Sequence, residues 1–259
     1  MKNVTNAGHN QLTQKAIIFD VTGVLFKEKR LRLLGKLGLK NLLIYIAKHR
    51  KNPFKRFFYL LDILHQQEDA NAARINYKGH PMPSCIAAWQ EGLITDQMLS
   101  EQMAQYVAWL DTQGYFLSSQ EKALFSTIMD VLLDPQELAR ISKPIKPMIK
   151  LVNQLKGRGH KVFILSNMAH ETFDLLEDAY ADFLELFDGI VISAHVQMLK
   201  PHKEIYEHLC DSYNLDPTTS IFIDDQKDNV MTAQQLGITG IHYTKFRHVK
   251  RQLRKLKIV

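Results

Sequence analysis

Four stretches carry residue types able to do chemistry, and three of them follow a short apolar run. Asp20 follows Ala16–Phe19 (AIIF) and precedes Gly23, where the chain must turn. Ser166 and Asn167 follow Lys161–Leu165 (KVFIL), and Asp224 with Asp225 follow Ser220–Ile223 (SIFI). Lys200 stands in Met198-Leu199-Lys200-Pro201, a cation beside a rigid residue. Transfer of a phosphoryl group to a protein nucleophile needs such a set: an in-line nucleophile, a metal for the phosphate oxygens, and positive charge and donors for the rest. Asp20 offers the carboxylate. Asp224 and Asp225 repel one another, a cost that a divalent cation relieves, and hard oxygen ligands suit Mg²⁺. Ser166 and Asn167 are small donors at the start of a helix, where backbone N–H groups favour phosphate oxygens.

These residues meet only if the elements carrying them lie side by side. The three apolar runs, with Gly189–Ile192 (GIVI) before Ser193 and a fifth at Gly240–Tyr243, have the look of strands buried on both faces. Helical patterns alternate with them at Pro147–Lys156, Glu171–Ala179, Lys203–Tyr213 and Asn229–Leu236. That rhythm predicts an α/β fold built on a doubly wound, Rossmann-like parallel sheet, in which ligands bind outside the carboxyl ends of the strands. Residues from Phe26 to about Ile141 break the rhythm and read as helices: Leu31–His49, Pro53–Gln67, Met82–Gln90, Thr95–Thr112 with Thr95 as N-cap, and Ser119–Met129. The expected organisation is a core of 1–26 and 142–259 with a helical cap domain of 27–141 inserted after the first strand.

Composition narrows the setting. Two distant cysteines, Cys85 and Cys210, fit neither a disulfide framework nor a structural zinc site, which predicts a reducing, cytoplasmic home. The first fifteen residues are polar, without a signal-like apolar run. No stretch reaches the roughly 18 consecutive apolar residues of a membrane span. The net charge of +6 is uneven, because 27–56 and 245–257 are strongly basic and leave the rest net acidic. The first of these segments is either a set of solvated helix faces or a patch for an anionic surface.

The ordered motifs resemble those of the haloacid dehalogenase-like hydrolases. Phe19-Asp20-Val21-Thr22-Gly23-Val24-Leu25 looks like the family's first motif and Ile164-Leu165-Ser166-Asn167 its second. Leu199-Lys200-Pro201 with Ile205-Tyr206 is similar to the third, and Phe222-Ile223-Asp224-Asp225 with Asn229 to the fourth. The helical insertion matches the branch with an α-helical cap, and Trp89-Gln90-Glu91-Gly92-Leu93-Ile94-Thr95 is similar to a segment common in such caps. The nearest likeness is to sugar-phosphate phosphatases and to the phosphatase domains of bifunctional epoxide hydrolases. The resemblance implies a Mg²⁺-dependent phosphatase for a small phosphorylated metabolite. In it Asp20 forms an aspartyl-phosphate, Ser166 and Asn167 hold phosphoryl oxygens, and Lys200 neutralises charge. Asp20, Asp224, Asp225 and the carbonyl of Thr22 bind the metal.

Thr22 departs from the pattern. Most family phosphatases carry there a second Asp that serves as general acid and base, help worth about 10²–10⁴-fold in rate. A threonine keeps the carbonyl but cannot supply a proton at neutral pH. The dehalogenase branch also lacks that Asp, but generally loses acids of the fourth motif that this chain keeps. Three readings follow: a phosphatase, a catalytically weak protein that binds a phosphate ligand, and a hydrolase drawn to an anionic surface. Taken singly, Asp20 is as often a turn residue as a nucleophile, Ser166 is more often a helix cap than a ligand, and Lys200 is usually a solvated surface lysine. His170, His195 and His202 lie near the motifs and read as loop residues, and Trp89 with the insertion's aromatic residues reads as cap core. Substrate identity and oligomeric state are not legible.

Overall fold

The computed structural model describes residues 14–28, 35, 38–68, 75–77 and 79–259. Strand β1 (Ala16–Phe19) is followed by β2 (Phe26–Glu28), and then by helices α1 (Leu39–His49) and α2 (Pro53–Gln66). Two short strands, β3 (Asn76–Tyr77) and β4 (His80–Pro81), form a hairpin before α3 (Ser84–Gln90), α4 (Asp96–Thr112), α5 (Ser119–Leu132) and α6 (Pro135–Ile141). The chain returns through β5 (Ser142–Pro144) and α7 (Lys146–Gly157). It then alternates as β6 (Lys161–Ser166), α8 (His170–Leu184), β7 (Gly189–Ile192), α9 (Ser193–Val196), α10 (Lys203–Tyr213), β8 (Ser220–Asp224), α11 (Lys227–Gln235), β9 (Thr239–His242) and α12 (Phe246–Lys255).

Five strands form one parallel sheet in the order β7-β6-β1-β8-β9. Their side chains alternate between two apolar layers, which is why all of β1 is buried. Ile17, Phe19, Val162, Ile164, Ile221 and Ile223 face α7, α8 and α12 through Leu151, Phe173 and Leu253. Ile18, Phe163, Leu165 and Phe222 face the other way, onto Ile205, Leu209 and Ala233 of α10 and α11. β1 is the centre from which the chain winds both ways, so the crevice at its end is the switch point of the sheet.

The helices from α1 to α5 share a separate apolar cluster that also takes in Ala169 and Leu199 from the sheet side. Their ends are set locally. Asn52 accepts from the backbone N–H groups of Phe54 and Lys55 ahead of Pro53 at the first helical position, and Thr95 accepts from Met98 N at 3.2 Å. The reading of everything from Phe26 as helix needs correction at both crossings and at the β3–β4 hairpin. β2 pairs antiparallel with β5, Phe26 opposite Pro144. Phe26 is buried against Tyr180 and Phe183, with ring centroids 5.1 and 6.0 Å away. The ladder thus ties the outgoing and returning chains together, a pairing of residues over a hundred positions apart that no local period encodes. The expected helix Leu31–His49 is described only from Gly38 onward, with the helix itself starting at Leu39, apart from Gly35; the rest lies outside the described residues. The basic C-terminal stretch forms α12, with Val249 and Leu253 buried and Arg247, Arg251, Arg254 and Lys255 exposed, a solvated helix face.

Helices α1, α2 and α5 are also held by a polar hub. Glu121 is buried at the start of α5, where it accepts from Tyr45 Oη at 2.7 Å, Arg56 Nε at 3.1 Å and Leu117 N at 2.6 Å. Burial alone would raise this carboxyl, but those three donors hold it below the usual range. Removing the cation of a buried pair strands the remaining charge, at about 3–5 kcal/mol. Arg56→Met is therefore expected to lower the unfolding free energy by about 3 kcal/mol, read in a urea titration as a lower midpoint.

Candidate functional site

The parallel register brings distant residues to one level. Phe19 lies beside both Ile164 and Ile223, so the next positions on the three strands, Asp20, Leu165 and Asp224, sit side by side. One side chain joins them. Lys200 is buried, and its Nζ donates to Asp20 Oδ1 at 2.8 Å, Asp224 Oδ2 at 2.7 Å and the carbonyl of Leu165 at 2.8 Å. All three ammonium protons have partners, so the charge is aimed with no freedom to swing. Its backbone is fixed as well: Asn167 Nδ2 donates to the Lys200 carbonyl at 2.8 Å, and Lys200 N donates to Asn167 Oδ1 at 2.9 Å.

Asp20 is 6% exposed and also accepts from Ser166 Oγ at 2.9 Å. Burial pushes its carboxyl up to about 7; Lys200 opposes the shift, and Asp224 and Asp225 add to it. Asp224 is fully buried and heavily engaged. Its Oδ1 accepts from Gln226 N at 2.7 Å and its Oδ2 from Asn229 Nδ2 at 3.0 Å as well as from Lys200. Three of a carboxylate's roughly four acceptor positions are thereby taken. Asn229 is itself held by Tyr206, whose hydroxyl donates to the Asn229 carbonyl at 2.9 Å.

One ligand oxygen from each of Asp20, Asp224 and Asp225 can be chosen so that all lie within 4.8 Å of one another. Three hard, anionic donors converging beside a single shared ammonium fit a small divalent cation such as Mg²⁺. The turn after β1 is shaped to this cluster. Gly23 has φ +93°, and a Cβ there would lie 2.4 Å from Asp225 Oδ2, so only glycine lets the loop close over the carboxylate. Gly23 N donates to the Phe26 carbonyl, which tightens the turn around Thr22.

Asp20, Thr22, Asn167, Lys200 and Asp225 line a cavity of about 260 Å³ that runs beneath the cap helices. Ser166 and Asp224 stand behind its wall, where they position Asp20 and Lys200. The side chain of Asn167, expected to meet phosphate, is engaged with the Lys200 backbone. His170 and His195 stack on each other with ring centroids 4.9 Å apart, and neither they nor His202 line the cavity. Sequence reasoning missed the cavity's upper wall, including Phe54, Phe57, Phe58 and Leu61 of α2. It also missed Ser193, whose hydroxyl accepts from Met168 N and donates to the Gln90 carbonyl of α3, joining core to cap. Apolar helix residues look alike whether they face a neighbour or a void, so the sequence held no signal for that wall.

Carboxylates gathered at the switch point of a parallel sheet, under a helical cover, define a class of doubly wound α/β proteins with a carboxylate-based site. The chain belongs to the haloacid dehalogenase-like hydrolase family, whose model matches residues 14–237. It is 35% identical over 114 residues to the sesquiterpene phosphatase of Aspergillus oryzae, a match covering 44% of this chain and 58% of that protein. It is 30% identical over 118 residues to a drimenol cyclase of Aspergillus calidoustus, covering 46% and 22%. The chain thus matches little more than half the length of the first relative and about a fifth of the second. A haloacid dehalogenase family enzyme of Bacteroides thetaiotaomicron, in complex with magnesium and inorganic phosphate, shares the fold. Its TM-score is 0.51 at 19% identity over 88% of this chain and 93% of that one.

The electrostatics of Asp20 are directly measurable. A ¹³C titration of the Asp20 carboxyl without divalent cation is expected to show a midpoint near 7. Saturating Mg²⁺ should move it down, because a cation favours the charged form. A metal-free midpoint in the ordinary carboxylate range would refute this account of the site.

Proposed function

We propose that the protein is a Mg²⁺-dependent phosphatase that hydrolyses a small phosphorylated substrate through an aspartyl-phosphate on Asp20. One observation carries the reading: Asp20 opens onto a covered cavity while Lys200 bridges it to Asp224, with Asp225 alongside. The likeness to a sesquiterpene phosphatase supports phosphate chemistry. The Bacteroides enzyme of like fold was captured with magnesium and phosphate.

In this reading residues 27–141 act as a cap over a core of 1–26 and 142–259, closing the site against bulk water. Asp20, as the carboxylate, attacks phosphorus as the ester P–O bond breaks and the ester oxygen leaves with the bonding pair as an alkoxide, which takes its proton from water. Water then attacks the same phosphorus, freeing Asp20 and inorganic phosphate. Lys200 favours the ionised form of Asp20 without fully securing it, holds it in place and offsets charge on the phosphoryl oxygens. Ser166 and Asn167 keep Asp20 and Lys200 aligned. Asp20, Asp225, the remaining acceptor position of Asp224 and the Thr22 carbonyl would hold Mg²⁺, which when bound neutralises phosphate charge.

Thr22 favours a second reading. Its hydroxyl cannot protonate the leaving alcohol at neutral pH, so a protein that binds Mg²⁺ and a phosphate ligand with negligible turnover fits the same geometry. A phosphate-release assay over an ester panel with Mg²⁺ separates the two. The phosphatase reading expects turnover that Asp20→Asn abolishes and chelation removes. Thr22→Asp is expected to raise it at least tenfold, a fraction of the roughly 10²–10⁴-fold that general acid–base help supplies. No release from any ester by the parent protein would favour the binding reading.

The proposed setting is cytoplasmic, in keeping with two buried free thiols, Cys85 and Cys210. Among the described residues no helix is long and apolar enough to cross a membrane. Contact of the basic segment 27–56 with an anionic surface is a further proposal. Lys40, Arg50, Lys51 and Lys55 are exposed and available for it, whereas Arg56 is committed to Glu121. Failure to bind anionic vesicles at low salt, where such attraction is strongest, would end it.

A further inference from the structure

The walls of the cavity divide sharply by chemistry. Its floor, at the sheet edge, is polar and charged. The part contributed by residues 28–141 contains no Lys, Arg or His among the described residues, and its one charged group is Glu28. It is built instead from large apolar side chains, among them Phe54, Phe58, Leu61, Ile86, Met129 and Leu133. The polar groups nearby are mostly committed. Trp89 Nε1 donates to Asp96 Oδ1 at 2.7 Å, which leaves its ring as the available surface. Asn76 Nδ2 donates to Asp228 Oδ2 at 3.1 Å. Thr172 Oγ1 has no hydrogen-bond partner but is itself sealed from solvent, so it offers a ligand no ready polar contact.

A sugar or nucleoside phosphate is poorly matched to such walls. Each hydroxyl or base edge taken from water without a partner costs about 1–3 kcal/mol, and a ring of hydroxyls would meet mainly phenyl and aliphatic carbon. A hydrocarbon chain loses nothing there. It gains the burial of its own methylenes and covers apolar wall that is otherwise wet.

We infer that the leaving group is the alcohol of a hydrocarbon chain: the substrate is a long-chain alkyl or alkenyl phosphate monoester. Its phosphate sits at Asp20 and its chain lies among α2, α3 and α5. The inference rests on the phosphatase reading and names its substrate class. In the net reaction water divides across the ester P–O bond, its oxygen going to phosphorus and a proton to the alkoxide, giving the free alcohol and inorganic phosphate.

The test is a homologous series of n-alkyl phosphates, ethyl to dodecyl, kept below their aggregation concentrations and assayed with Mg²⁺ beside glucose 6-phosphate and phenyl phosphate. The expected result is a kcat/KM that climbs roughly fourfold per methylene, the fold-change for burying a CH₂, until the cavity is full. Glucose 6-phosphate should be slower than hexyl phosphate. Leu133→Trp, which narrows the cavity, should move the optimum to shorter chains. A flat or falling series, a preference for the sugar phosphate, or an optimum unmoved by Leu133→Trp would each overturn the inference while leaving a working phosphatase. If no ester is hydrolysed at all, the phosphatase reading fails, and binding then decides the chain inference. Tryptophan fluorescence of the Asp20→Asn protein should report tighter binding of decyl than of ethyl phosphate, and equal binding would overturn it.

Discussion

The buried ammonium of Lys200 is the interaction on which the site depends. Two carboxylates and a backbone carbonyl converge on it at 2.7–2.8 Å in a place that solvent scarcely reaches. Burying charges is costly unless they are paired with good geometry, and breaking such a group leaves an uncompensated charge behind. The surroundings are therefore arranged to hold the pairing fixed: Asn167 grips the Lys200 backbone from both sides, Ser166 supports Asp20, and Asn229 supports Asp224. The opposing pulls on Asp20 show that the balance is incomplete. Burial and two neighbouring acids outweigh Lys200 and raise its carboxyl to about 7. A divalent cation drawn into the cluster would tip that balance toward the ionised, nucleophilic form.

The sheet provides this geometry cheaply. Parallel strands in register place their ends at one edge, and β1 at the switch point is flanked on both sides by strands that also end in polar residues. The candidate site positions thus stand at the ends of strands that are buried along nearly their whole length. Helices α1 to α5 have the opposite character. They share an apolar cluster distinct from those under the sheet, and they are tied to the sheet by the β2–β5 ladder, by the Ser193–Gln90 contact and by Asn76 with Asp228. The cavity wall they contribute is largely hydrocarbon.

Much of the core was legible because its signals are local. Short apolar runs ending in Asp, Ser or Asn betray buried strands whose termini face a crevice, and Lys203–Tyr213 emerged as a helix with the bounds its periodicity suggests. Caps such as Thr95 were equally readable, because a side chain accepting from an N–H three residues on is a matter of neighbours. The β2–β5 ladder was not, since Phe26 and Pro144 meet only after more than a hundred intervening residues have folded. α12 went unassigned because its strongly basic character obscured the two positions, Val249 and Leu253, that seat it on the sheet.

The sequence by itself therefore determined the chemistry available: which carboxylates, which lysine and which small donors stand at strand ends, and that Thr22 occupies the place of an expected acid. Tertiary structure alone decided how those groups are used. It set Ser166 and Asn167 to work on Asp20 and Lys200, placed Asp224 behind Asp225, and turned one face of α2 toward a void instead of a neighbour. The physical reason is that residue type and local period fix what a side chain can do. Which atoms meet it across the fold, and whether its apolar face is covered by protein or left for a ligand, depends on packing between elements far apart in the chain.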